Sequence, residues 1–315
     1  MQYRSLGKSG LKVSAIGLGT NQFGGKVDQS TSNNIIAAAL DGGVNLIDTA
    51  DVYQNGRSEE FIGKALQGKR EKALIATKGY FSTGEGPNDR GASRHHILSA
   101  VEASLRRLNT EAIDLYQIHR WDDETPIQET MQVLDDLIRS GKVRYIGASN
   151  FSAWQLVWAN DIADKNNWTK MVSIQPHYHM FERTIESELI PACLNFKIGI
   201  LPYFPLAGGF LTGKYKVGEP PPPDSRGATS QYVQNYLTPK NHAILDNLIT
   251  FTQNHNHNMV ELAHAWLLAQ SQISSVISGA TRVEQVQANI ASAEWILTNE
   301  EVQQVNQILG NHNSA

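Results

Sequence analysis

A chain of 315 residues with 41% apolar and 18% charged residues and a net charge of −4 has the makeup of an ordinary globular protein, and its mild negative balance argues against a surface for nucleic acid or anionic lipid, which needs a basic field. A single cysteine, Cys193, excludes an internal disulfide and a thiolate metal cluster. Its place in the run Ile190-Pro191-Ala192-Cys193-Leu194 reads as that of a small core residue. The first residues lack the apolar stretch of a signal peptide, and no apolar run approaches ~20 residues, so a cytoplasmic protein that does not span a membrane is expected.

Residues 2–14 alternate polar and apolar around Gly7-Lys8-Ser9-Gly10, which predicts a hairpin. A short apolar strand, 15–20, ends in Gly19-Thr20, and a helix follows over 30–40 with Ser30 or Thr31 as its cap. The couplet then repeats. Strands at 44–48, 73–78, 113–119, 143–150 and 171–175 precede helices near 58–66, 94–107, 127–139, 152–163 and 185–195. A strand at 199–203 runs into a long loop before helices near 240–253 and 258–269. The strand 275–278 and helices near 283–291 and 299–309 complete the chain, and residues 311–315 read as a frayed end.

Eight strands, each followed by a helix and most of them near-continuous apolar runs, mean βαβ units and a parallel sheet. At this length they favour an α/β fold of the (β/α)8 TIM-barrel kind, one domain over 1–315. The hairpin is then free to plug the N-terminal mouth, and an extra helix lies at the C-terminus. Residues 215–239, with Pro220-Pro221-Pro222-Pro223, show no periodicity, and a loop that long inside a compact domain is usually functional or disordered.

Active sites of such barrels sit at the C-terminal strand ends. There the chain gathers Asp48, Tyr53 just beyond it, Lys78 and His119. A phenol titrates near ~10, and burial raises it. An ammonium about 4 Å away at an effective dielectric of ~20 is worth roughly 4 kcal/mol, about three pKa units, which brings the phenol toward working range. The expected roles are Tyr53 as general acid, Lys78 as its tuner, Asp48 as the anchor of Lys78, and neutral His119 as the group that orients a carbonyl oxygen. None of the four can donate a hydride, so reduction of a carbonyl requires a cofactor.

These motifs resemble the aldo-keto reductases. Besides Asp48-Thr49-Ala50-Asp51-Val52-Tyr53, the likeness rests on Gly17-Leu18-Gly19-Thr20, Thr77-Lys78, Asp114 through His119, Ile146 through Phe151, Pro202 through Leu206, Gly213-Lys214-Tyr215, and Gly279 through Asn289. The resemblance implies the barrel, the Asp/Tyr/Lys/His tetrad, and reduction of small aldehydes or ketones with NADPH. It places Thr20 and Asp48 near the nicotinamide ribose, Ser149, Asn150 and Gln175 on the carboxamide, and Tyr203 on the nicotinamide face. Lys214 and Arg226 would clamp the pyrophosphate. Gly279, Thr281, Arg282, Gln285 and Asn289 would open the last barrel helix beneath a phosphate. Arg282 is the partner expected for a 2′-phosphate. Asn21, Phe204, Leu206 and Gly208 also fall among the implied cofactor contacts.

The chain departs from the family pattern in three places. Phe204 stands where many relatives carry Ser, Asn21 where an aromatic or Met is common, and Gln285 where some relatives carry Arg. Phe23, Arg120 and Trp121 are the residues expected to line the substrate mouth. Gly208 to Lys214 fits G-x-x-x-x-G-K, but Tyr215 replaces the Ser/Thr of a phosphate-binding loop. Neither His255 nor His257 reads as a metal ligand. Two other readings stay open: a Schiff-base lyase using Lys78, and a cofactor-binding regulatory subunit with little turnover.

Overall fold

The computed structural model describes residues 1–310, so the expected frayed end at 311–315 lies outside the described residues. Two short antiparallel strands, β1 (Tyr3–Ser5) and β2 (Lys12–Ser14), make the expected hairpin. Eight more strands come after it: β3 (Ile16–Gly19), β4 (Leu46–Asp48), β5 (Leu74–Gly79), β6 (Ile113–Ile118), β7 (Val143–Ser149), β8 (Ser173–Gln175), β9 (Gly199–Ile200) and β10 (Val276–Gly279). Their order is β10-β3-β4-β5-β6-β7-β8-β9, with every pairing parallel.

The two ends of that order meet. Ile200 N donates to Gln272 O, Ser274 N to Ile200 O and Ile277 N to Pro202 O, each at 2.9 Å, so the sheet closes into a (β/α)8 barrel. The strand expected over 199–203 keeps regular pairing only to Ile200 and continues as isolated bridges from Tyr203 to His177 and Ile277. Pro202 explains the break, because it has no N–H for the ladder.

Strand alternation produces two apolar layers. Inside the barrel, Leu46, Ala76, Leu115, Leu201 and Ile277 pack with Leu6 and Val13 of the hairpin region, so the hairpin plugs the N-terminal mouth. Outside, the remaining apolar residues meet the helices in one larger cluster that includes the fully buried Trp266. The helix Ile127–Arg139 shows how the sequence directs this. Ile127, Met131 and Leu134 fall at i, i+4 and i+7 on its buried face, with Thr130 and Leu137 beside them. The helix Ala153–Lys165 begins at a capping box in which the Ser152 and Gln155 side chains satisfy each other's backbone N–H. The last helix, Asn299–Leu309, uses Thr298 and Glu301 in the same way. No described helix is long and apolar enough to cross a membrane.

The segment 215–239, expected to lack periodicity, carries two single-turn helices, Arg226–Thr229 and Gln231–Gln234. Four residues are too few for an apolar period to show in the sequence. They pack through Gly227 and Val233, which are buried.

Gly147 is the tightest point on the strand that delivers Ser149 to the mouth. A Cβ there would lie 2.4 Å from Ser173 Oγ and 2.9 Å from the Ser173 carbonyl oxygen. Gly147→Ala should therefore cost about 1–3 kcal/mol by overpacking, read as a lower urea midpoint with an unchanged slope. An unaltered midpoint would show that β7 and β8 can part at no cost.

Candidate active site

The barrel brings all four tetrad residues to one rim. Asp48 ends β4, Lys78 is the penultimate residue of β5, and His119 comes directly after β6, its N–H donating to Gly79 O at 3.1 Å. Tyr53 sits on the loop after β4. Gln54, Asn55 and Gly56 turn that loop back through three successive left-handed residues, at φ 51°, 56° and 84°.

Lys78 is fully buried, and its ammonium donates to Asp48 Oδ1 at 2.9 Å, Asp48 Oδ2 at 2.8 Å and Thr49 O at 2.7 Å. The ammonium also shares a hydrogen bond with the Tyr53 phenol, so its donors are fully engaged. Gln175 Nε2 donates to Asp48 Oδ1 at 2.8 Å and fixes the carboxylate from the far side of the mouth. The Lys78 ammonium lies 5.2 Å from the Tyr53 ring centroid, and the Tyr53 and His119 rings meet edge to face at 5.9 Å.

Burial works against the Lys78 charge, but Asp48 and the phenol of Tyr53 more than offset it, and its pKa stands raised. His119 moves the other way: burial and then the Lys78 charge hold it down to about 3, so its imidazole is neutral near pH 7. Tyr53 corrects an expectation. Burial raises its phenol pKa, and the Lys78 charge opposes that rise without reversing it. Desolvation of the phenolate outweighs the ammonium, whose charge is already shared with Asp48. The phenol is therefore a firmly held proton donor at neutral pH.

Most of the expected cofactor residues gather around the same mouth. Asn150, at φ 56°, donates through Nδ2 to His119 O at 3.1 Å and Ser149 Oγ at 3.0 Å, and accepts from the Tyr203 hydroxyl at 3.0 Å. Ser149 Oγ donates to Gln175 O at 2.8 Å. The Tyr203 ring stacks on His177 at 5.3 Å and 21°, and His177 bonds the Tyr232 hydroxyl. His177 and Tyr232 escaped the sequence reading, although the run Pro176-His177-Tyr178-His179 just past a strand end was a signal for such a wall. Thr20 is buried, and its hydroxyl is committed to Asp48 O at 2.8 Å, so it shapes the floor from beneath.

The segment from Tyr203 to Tyr232 forms a strap beside the mouth. Phe204 (φ 65°), Ala207 (φ 48°), Gly208 (φ 66°) and Gly209 (φ 96°) are left-handed, and Leu206 precedes the 3-10 turn Ala207–Thr212. A bulky residue at positive φ is strained, and such strain concentrates at ligand clamps. Arg226 reaches from the strap to Asn21 Oδ1 at 3.4 Å and covers the Phe204 ring at 5.4 Å. Lys214 lies over the Tyr215 ring at 5.1 Å. Among the described residues, neither cation is paired with a carboxylate. Two uncommitted cations on a strained strap next to a stacked tyrosine fit the pyrophosphate and ring of a nicotinamide dinucleotide.

Two further expectations need correction. Phe23 is fully buried and packs in the core, so it offers no surface at the mouth. Asn289 does not open the last barrel helix. That helix runs Val283–Ala291, and Asn289 is buried in its final turn, on the Gln285 side by i,i+4 spacing. Gly279, Thr281, Arg282 and Gln285 do stand at the helix opening, where Gln285 Oε1 accepts from Thr281 N at 2.8 Å and Arg282 remains exposed. Gln175 spends its amide nitrogen on Asp48, and Asn150 bonds both Ser149 and Tyr203. Arg120 is exposed, and Trp121 packs against Phe151, Trp154 and Trp158.

Residues 15–310 match the aldo/keto reductase family. The chain belongs to that family. It is 36% identical to the aldo-keto reductase YhdN of Bacillus subtilis, over 99% of this chain and 94% of that protein. It is 36% identical to the versiconal hemiacetal acetate reductase of Aspergillus parasiticus, over 96% and 95%. It is also 38% identical to a probable voltage-gated potassium channel subunit beta of Arabidopsis thaliana, over 94% and 92%. The family is one of oxidoreductases, and the tetrad occupies the C-terminal mouth of this member's barrel.

Because its folded pKa lies near 3, His119 refuses a proton that the unfolded chain accepts below about 6.5. Its contribution to stability is therefore intact above about pH 6.5 and is lost as pH falls toward 3. In a histidine NMR titration, the His119 ring signals should stay constant from about pH 8 to pH 4. A midpoint near the ordinary histidine value would contradict the buried neutral imidazole.

Proposed function

We propose that this aldo-keto reductase reduces small aldehydes or ketones to alcohols with NADPH, reversibly. The carrying observation is the fully buried Lys78 ammonium, gripped by both Asp48 oxygens and set against the Tyr53 ring, with neutral His119 on the other side. When bound, NADPH supplies the hydride that no side chain here can give. Tyr53 holds the proton destined for the carbonyl oxygen. Lys78 stabilises the phenolate left behind, and Asp48 keeps that ammonium charged. His119 donates a hydrogen bond that aligns the carbonyl oxygen with the phenol. Ser149 and Asn150 would hold the carboxamide, Tyr203 would stack on the nicotinamide, and Lys214 and Arg226 would neutralise the pyrophosphate.

A second reading, a cofactor-binding regulatory subunit, is favoured by the name of the Arabidopsis relative. It requires tight NADPH binding without turnover. A complete tetrad with a charged lysine supports catalysis instead, since a sensor needs no proton donor.

The test follows NADPH absorbance across an aldehyde panel. Tyr53→Phe should keep NADPH affinity, read by tryptophan quenching, and lose about 10²–10⁴-fold in kcat. Equal turnover in wild type and variant would remove Tyr53 from the acid role. Tight quenching with no turnover by wild type would favour the regulatory reading. Arg282 stands exposed at the helix opening with only a loose 3.8 Å contact to Glu284, free to meet a 2′-phosphate. Arg282→Ala should weaken NADPH binding about tenfold or more and leave NADH nearly unchanged. Equal losses for both would place the 2′-phosphate elsewhere.

A further inference from the structure

Behind the tetrad lies a third buried carboxylate that the proposed chemistry does not use. Asp51 is 2% exposed, and among the described residues no side chain hydrogen-bonds its carboxyl, which only the neighbouring Val52 N–H reaches. Its backbone N–H donates to Lys78 O at 3.0 Å, so it is tied to the strand that carries the ammonium. Tyr116 on β6 is fully buried, and among the described residues its hydroxyl has no hydrogen-bond partner. Both groups crowd the residue after Lys78: a Cβ on Gly79 would lie 2.2 Å from the Tyr116 hydroxyl oxygen and 3.3 Å from Asp51 Oδ2. Buried polar groups this poorly satisfied are uncommon, and two beside each other next to an active centre call for an explanation.

Charge balance supplies one. Lys78 is matched by Asp48. Arg107, from the helix Arg94–Leu108, is matched by Glu59 of the helix Arg57–Ala65, with Nε to Oε2 at 2.7 Å. Glu59 Oε1 also accepts from Thr77 Oγ1 at 2.5 Å. The groups facing Asp51 are thus Glu59, Arg107, Lys78, Tyr116 and, on its own loop, Tyr53. Two cations are already claimed by two carboxylates, and Asp51 is left over. An unmatched buried carboxylate is costly when ionised and instead keeps its proton.

We infer that Asp51 is a positioning residue for the proton donor: an internal acid behind the Asp48–Lys78 pair whose ionisation sets how tightly Tyr53 holds its proton. The inference rests on the reading of Tyr53 as the acid. Burial, and then Glu59, push the Asp51 carboxyl up to about 7, with Arg107, the Val52 N–H and Lys78 opposing. Near neutral pH it therefore exchanges between two states. Neutral, it leaves the ammonium to Asp48 and the phenol. Ionised, it adds a negative charge beside them, which the Tyr116 hydroxyl can turn to meet. That charge makes the Tyr53 proton harder to remove, which favours reduction over alcohol oxidation as pH rises.

The test pairs two readouts. The first does not depend on turnover. The folded carboxyl titrates near 7 and the ordinary one near 3.8, so its favourable contribution is complete below about pH 4 and is lost as pH rises through 7. Asp51→Asn lacks this loss. Its melting temperature should gain on wild type by several degrees between about pH 5 and pH 8. Tyr116→Phe, which keeps the acid and removes the neighbouring hydroxyl, should move the inflection of the wild-type profile upward.

The second readout is the pH profile of alcohol oxidation with NADP+. Its ascending limb, which reports loss of the Tyr53 proton, should move down by about one pH unit in Asp51→Asn, as expected for removing one nearby charge, and return toward wild type in Asp51→Glu. A melting gap that does not change with pH would overturn the inference by itself, and so would a gap that widens while the limb stays fixed. Absence of turnover by wild type across substrates would instead bring down the reductase reading, and this role for Asp51 with it.

Discussion

An ammonium with no exposure to water is the constraint around which this barrel mouth is arranged. Lys78 can stay charged at full burial because both carboxylate oxygens of Asp48 and the Thr49 carbonyl accept from it, with the Tyr53 phenol alongside. Those acceptors come from one strand end, and the parallel register that sets Asp48 opposite Ala76 brings that end alongside Lys78. Removing either partner would leave an uncompensated buried charge, a loss of about 3–5 kcal/mol. The pairing of β4 with β5 is therefore a chemical requirement as well as a packing one.

Strand alternation then separates two charge systems across one sheet. On β5, Lys78 points to the mouth, while the preceding residue, Thr77, points outward and donates to Glu59. Glu59 is held from behind by Arg107. The sheet thus has a satisfied ion pair on each side. Gln175 locks the inner pair from the opposite wall, so Asp48 is fixed by a residue 127 positions away in the chain. Rigidity of this kind suits a site in which a proton donor and a carbonyl-orienting imidazole must keep their separation. It also explains the direction of the Tyr53 shift: an ammonium already shared with Asp48 and Thr49 opposes the loss of water around the phenolate without reversing it.

Hydrophobic period and residue type were enough to reveal the barrel and its mouth. Eight apolar runs separated by helical patterns announced the first, and four ionisable residues at or just beyond three consecutive strand ends announced the second. The features that stayed hidden depend on long-range context. Phe23 looks like any aromatic near a strand end until the fold closes over it. Asn289 lies only four residues past Gln285, and whether that is the start or the end of a helix depends on where the cap falls, at Arg282. The tie from Gln175 to Asp48 and the pairing of Glu59 with Arg107 join residues far apart in the chain, with no local signature. Likewise, the sign of the Tyr53 shift depends on how many acceptors share the lysine, and that number is a property of the assembled site.

The two halves of the mouth are built by opposite means. The floor, from β4 to β8, is positioned by regular strands and closed hydrogen-bond networks, so its geometry is over-determined. The strap is positioned by a few strained residues, Phe204 and Ala207 among them, by an aromatic stack on His177, and by a single long contact from Arg226 to Asn21. Its cations are paired with no carboxylate among the described residues. A barrel can accept this because its stability comes from the sheet and its helices, leaving the loops free to hold conformations that only a bound anion would fully compensate. On the proposed function, chemistry falls to the rigid half and recognition to the half with unspent charge, and a cofactor can enter and leave without disturbing the buried lysine.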